Sequence, residues 1–170
     1  MEFIYIGLGG HAPLFLFLKD LLVVLTLITY PTYMGAAMAG AAADTIAAHF
    51  RDLGRTPRDY DLVVTGDLGY AGSELCVELV AREGFDIASR HRDCGIEIFD
   101  RDIQGTLNGG SGCGCSGVVF AGYYYEKLKA GELERILFVP TGALMSPVSV
   151  QQGESIPGIA HGVAIERVKG

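Results

Sequence analysis

The chain has 170 residues, 49% of them hydrophobic and 19% charged, so it is long enough to bury one core and too apolar to be disordered. A formal net charge of -7 with only 13 Lys and Arg excludes a nucleic-acid surface, which needs concentrated cations to neutralise phosphates. Four cysteines and no recognisable secretory signal read as reduced thiols, which excludes a secreted disulfide scaffold.

In chain order, the first feature is an apolar run, Leu14–Tyr30, "LFLFLKDLLVVLTLITY". It approaches the length of a membrane span, but Lys19 and Asp20 fall inside it, each at a cost of about 3 kcal/mol at a bilayer centre. Leu14–Tyr30 is therefore a weak membrane-segment candidate, better read as a buried strand or core helix. From Met34 the sequence becomes regular. Met38, Ala42, Ile46, Phe50 and Leu53 recur at helical steps in an alanine-rich helix whose small side chains imply close approach to a neighbour, and Gly54 ends it. A short buried strand follows at Leu62–Thr65. Next come a helix at Ser73–Glu83, a strand at Ile96–Phe99, a helix at Val118–Lys129, a strand at Ile136–Val139 and a last strand at Ile159–Arg167. Strands and helices alternating through short connections define an α/β layered fold.

In such a fold functional groups gather in the loops after strand carboxyl ends, here "TGDLGYAG", "TGALMSPVSVQQGESIP" and the glycine-rich "NGGSGCGCS" before the third helix. The last loop supports three readings. His91, Cys94, Cys113 and Cys115 have zinc-donor chemistry, but the His-x-x-Cys and Cys-x-Cys spacings lack the knuckle pattern, so no metal is expected. A thiol at a helix start has its thiolate stabilised, which makes Cys115 or Cys113 a nucleophile candidate with His91 as the nearest base. Alternatively, a loop of small residues with exposed N–H groups suits carboxylates or simple close packing. His49 and His161 read as packing or surface residues. On the residues alone, the catalytic thiol and the binding or passive loop stand level.

The stretches "MGAAMAGAAADTIAAHFRDLGRTPRDYDLVVTGDLG", "HRDCG", "GGSGCGCSG" and "KLKAGELERILFVPTGALMSPVSVQQGESIPGIAHGVAIE" closely resemble the stage V sporulation protein AD family of the thiolase-like superfamily, from Met34 to about Arg167. The resemblance implies a thiolase-like, layered α/β fold with a mixed sheet. Family members have two similar halves, so the chain reads as the second half only: an apolar segment, residues 1–33, that does not match, and a carboxy-terminal half-domain, residues 34–170. A truncated, misread or rearranged gene would account for both.

The family further implies a sporulation protein that binds dipicolinic acid for uptake into the forespore. Membrane proteins of the same operon are its implied partners, and its place is cytoplasmic or peripheral at the inner forespore membrane, with no cofactor. Acyl-condensing relatives carry a catalytic histidine in a pattern like "PHQAN". Here Gly66 and Asp67 stand at that point, and the relatives' acyl-carrying cysteine belongs to the other half. Condensation needs nucleophile and base together, so binding fits better than catalysis. The implied contacts to a planar dicarboxylate are the Gly109–Cys115 backbone, Ser111, Gly112, Cys113, Cys115, Cys94, and His91 when protonated, with calcium bridging to Asp67 or Asp93. The alternatives are a residual acyltransferase or thioesterase using Cys115, Cys113 and His91, or an inactive half whose bare apolar surface drives dimerisation.

Overall fold

The computed structural model describes residues 3–6, 34–143, 148, 151–152 and 157–167; the apolar run Leu14–Tyr30 lies outside them. Among the described residues no helix is long and apolar enough to cross a membrane.

Among the described residues five strands form one mixed sheet: β1 (Phe3–Ile6), β2 (Leu62–Thr65), β3 (His91–Asp93), β4 (Arg135–Val139) and, numbered after the ribbon below, β7 (Gly162–Glu166). Their order is β1-β7-β4-β2-β3. β2 runs parallel to both β3 and β4, whereas β7 is antiparallel to β4 and β1. A separate two-stranded ribbon pairs β5 (Thr141–Ala143) with β6 (Gly158–Ala160).

Helices cover both faces of the sheet, and strand alternation decides which residue meets which layer. Val63, Leu137, Val139 and Ala164 point into a core shared with α1 (Met34–Leu53) and α2 (Gly69–Arg82). Their neighbours Val64, Ile136 and Ile165 point the other way, into a core with Val119, Tyr124 and Leu128. Those three belong to one helical rod made of α5 (Cys115–Val119), a π turn (Phe120–Tyr124) and α6 (Tyr125–Ala130). Two short helices precede it, α3 (Cys94–Glu97) and α4 (Arg101–Gln104).

The alanine-rich stripe of α1 does what its composition requires. Met38, Ala39, Ala42, Ala43, Ile46, Ala47 and Phe50 are all buried at three- and four-residue steps. A Cβ on Gly35 would fall 1.9 Å from the Leu68 carbonyl oxygen, and one on Gly72 would fall 2.7 Å from the Gly35 backbone. Only glycine lets α1 cross α2 so closely. Gly54 ends α1 at φ +60°, with the Arg55 amide donating back to Phe50.

At the amino-terminal edge of β2 and β4, His49 is 1% exposed and its Nε2 lies 2.5 Å from the Tyr60 hydroxyl. Arg55, which can only donate, also binds that hydroxyl at 2.8 Å, so the Tyr60 proton goes to His49. Arg55 and Arg135 both close on Glu166.

Four sequence expectations shift. The strand expected at Ile96–Phe99 lies at His91–Asp93, and Cys94–Glu97 is helical because the Asp93 carboxylate accepts from the Gly95 amide and caps the turn. The helix expected from Ser73 starts at Gly69. The rod expected from Val118 starts at Cys115. The strand expected over Ile159–Arg167 is broken at His161 into β6 and β7, which belong to different sheets. The layered α/β architecture with a mixed sheet stands as read.

Candidate functional site

The carboxyl ends of β2, β3 and β4 converge on the glycine-rich loop, and two aspartates organise that junction. Asp93, 1% exposed, ends β3. Its Oδ1 accepts from the amides of Gly69 and Gly95 at 2.9 and 3.0 Å. Its Oδ2 accepts from the Leu68 amide at 2.9 Å and the Thr65 hydroxyl at 2.7 Å. Burial pushes the Asp93 carboxyl up, against the pull of these four donors. Asn108 completes the start of α2: its carbonyl accepts from the Tyr70 amide and its Oδ1 from the Ala71 amide. The first amides of α2 are thus spent on the chain's own acceptors. That helix start is not an anion site.

Asp67 forms the outer tier. Its Oδ2 accepts the Ser111 hydroxyl at 2.7 Å and the Gly112 amide at 3.1 Å. Its Oδ1 accepts the Thr141 hydroxyl at 3.0 Å, while its own amide donates to Thr141 Oγ1 at 3.1 Å. One side chain therefore ties the β2 loop, the glycine-rich loop and the start of β5. Gly110 donates to the Gly95 carbonyl at 2.6 Å, and Gly112, at φ +144°, accepts from the Cys115 amide at 3.0 Å. Ser111, Gly112, Cys113 and Gly114 are exposed.

The predicted residues separate into two groups. Asp67, Ser111 and Gly112 are in direct contact, with Cys113 exposed beside them. Cys94 and Cys115 instead pack in the core beneath, with Val64 and Val119. Burial, with Asp67 and Asp93 adding to it, pushes the Cys115 thiol up to about 11; Cys94 is driven up further, by burial first and then by the adjoining Asp93. The helix-start activation expected of Cys115 is opposed by desolvation and by the nearby carboxylates, which all disfavour the thiolate. Its Sγ lies 4.0 Å from the Gly66 carbonyl oxygen.

His91 is half-buried and held down to about 4 by burial, with Arg92 adding to it, so it is neutral near pH 7. Since Thr65 gives its proton to Asp93, the His91 Nε2, 3.0 Å away, must donate to Thr65. A neutral ring that donates to Thr65 gives no cationic grip on a carboxylate, and that expectation for His91 is corrected. At Gly66 a Cβ would meet the Thr141 amide nitrogen at 2.5 Å, so an imidazole has no room there. Among the described residues no group of three His, Cys, Asp or Glu side chains gathers to hold a metal.

Sequence reasoning missed Thr65, Asn108 and Thr141. "NGG" at Asn108–Gly110 is a turn signal that marks Asn108 as a capping side chain. Thr65 and Thr141 open two of the strand-end loops marked in the sequence, but nothing local singles out their hydroxyls within those loops.

Fold and site together define an α/β protein of mixed sheet whose strand ends present a polar, glycine-rich loop over buried thiols. Residues 23–166 match the model of the stage V sporulation protein AD family, and the chain belongs to that family. It is 50% identical over 143 residues to stage V sporulation protein AD of Bacillus subtilis (strain 168). The alignment covers 84% of this chain and 42% of that protein, so the chain spans less than half the length of its relative.

Proposed function

We propose that the chain is a non-catalytic, thiolase-like binding module that takes up dipicolinic acid, pyridine-2,6-dicarboxylic acid, through its glycine-rich loop during sporulation. The observation that carries this reading is the pair of donors on Asp67. The Ser111 hydroxyl and the Gly112 amide already converge on one carboxylate oxygen, the geometry a small organic acid needs. Family membership supports the sporulation role. In this reading calcium travels with the acid, and membrane proteins of the same operon receive it at the inner forespore membrane.

Catalysis is the weaker reading, because the thiol at the helix start is buried and His91 is turned to Thr65. Calorimetric titration with dipicolinate is the test. Heat is expected with the chain as it stands, and Ser111→Ala should weaken binding about tenfold, the worth of one charge-assisted hydrogen bond. No heat at millimolar acid rejects the reading, and acyl-thioester turnover abolished by Cys113→Ala would replace it with an enzyme.

A further inference from the structure

We infer that Asp67 is an autoinhibitory latch: its carboxylate is a built-in competitor for the subsite that an incoming carboxylate would use. The inference rests on the binding reading above and adds its regulation.

Asp67 Oδ2 takes the two donors of the loop, Ser111 Oγ and Gly112 N–H, while Oδ1 is anchored on Thr141. An external acid meets these donors only by expelling Oδ2. The expulsion is feasible for this aspartate and not for its neighbour. Asp67 is half-buried beside an exposed loop, so a displaced oxygen reaches water, and Oδ1 keeps its Thr141 contact as a pivot. Asp93 is sealed by four donors with nowhere to turn. The loop is also free to reshape around a visitor. A Cβ at Gly112 or Gly114 would meet nothing within 4 Å, so neither residue is wedged against the rest of the chain. Exchange of one carboxylate for another is close to balanced in hydrogen bonds, so the latch lowers the affinity of every acid by a common factor.

The test compares the chain with Asp67→Asn, whose side-chain oxygen still accepts from Thr141 while its amide cannot accept from Gly112. Picolinate, a monoacid, and dipicolinate, a diacid, are titrated into both proteins. The expected result is that both acids tighten by the same factor, about tenfold, and that the gain shrinks, without vanishing, when Ser111→Ala removes one of the two freed donors. Without any acid, the Gly112 amide should exchange with solvent faster in Asp67→Asn. A larger gain for the dianion than for the monoanion would mean simple charge repulsion and overturn the latch. Unchanged or weaker binding would make Asp67 a brace for the loop, overturning the latch and sparing the binding reading. If neither acid binds either protein, both proposals fall. Asp67→Ser, too short to reach Ser111, replaces Asp67→Asn if the latter melts early.

Discussion

Asp93 Oδ2 receives the Thr65 hydroxyl at 2.7 Å across two adjacent parallel strands, and that one bond sets the direction of every proton around it. With Thr65 committed as donor to Asp93, His91 must donate from Nε2, and the carboxylate is left to accept three backbone amides. Asp93→Ala would strand those three amides in a buried place. A loss of roughly 3–5 kcal/mol is expected in urea unfolding, since each unsatisfied buried donor costs about 1–3 kcal/mol and some will find water. Asp93→Asn, which keeps one acceptor oxygen, should lose less than half of that. Equal stability for Asp93→Ala and the parent would show that the carboxylate does not hold these loops.

The pH dependence follows from buried groups of opposite sign. His49 and His91 sit at about 4 rather than 6.5, burial being the first cause for each. Their unfolded forms bind protons that the folded chain refuses. Stability from this source is complete above pH 6.5 and drains away as pH falls toward 4, by up to about 3 kcal/mol for the fully buried His49. Asp93 is shifted upward, so the folded chain holds that proton more readily, and its contribution falls as pH rises from about 4 through the folded value. The net expectation is a decline between pH 6.5 and 4, softened at its acid end by Asp93. His49→Gln should flatten the upper part of the curve in denaturant melts at stepped pH; an unchanged slope would place the titration elsewhere.

How far the residues alone reveal this arrangement depends on whether a feature is local. The α1 stripe was legible because burial of one face leaves a helical period, and the runs "LVV" of β2 and "ILFV" of β4 because burial on both faces leaves an unbroken apolar stretch. β3 was not. Its residues His91, Arg92 and Asp93 are polar, and they are a strand only because β2 offers them a parallel edge. The polar contacts of the site split the same way. Ser111, Gly112 and Asp67 stand out as loop residues, but the Asp67–Ser111 bond spans 44 positions and the Asp67–Thr141 bond 74, and no local pattern encodes a pairing at that distance. The cysteines mislead for the converse reason. A helix start lowers a thiol only where water or cations can reach it, and the sequence does not show that Cys115 faces the core.

Thiol labelling separates the four cysteines. Cys113 is exposed, while Cys76, Cys94 and Cys115 are buried. Burial pushes Cys76 up to about 12 and Cys115 to about 11 from 9.0, so Cys115 holds about a hundredfold less thiolate than an ordinary thiol. Iodoacetamide at pH 8 should modify Cys113 alone in the folded chain, and the other three only after denaturation, as peptide mass mapping would record. Rapid labelling of Cys115 in the native chain would revive the nucleophile reading.

Two glycines in similar helical surroundings should respond with opposite signs. Gly35 lies in the first turn of α1, where an added Cβ would stand 1.9 Å from a backbone oxygen of Leu68. Neither helix can yield without parting the Met38 and Ala42 contacts, so Gly35→Ala should cost about 3 kcal/mol, the upper end for overpacking. Gly117 lies inside α5, and a Cβ there would meet nothing within 4 Å. Glycine at such a place only adds freedom to the unfolded chain. Gly117→Ala should therefore raise stability by about 0.5–1 kcal/mol, the difference in helix propensity. Thermal melts of the two variants beside the parent read both signs at once, and a destabilising Gly117→Ala would mean that the outer face of the rod is covered in solution.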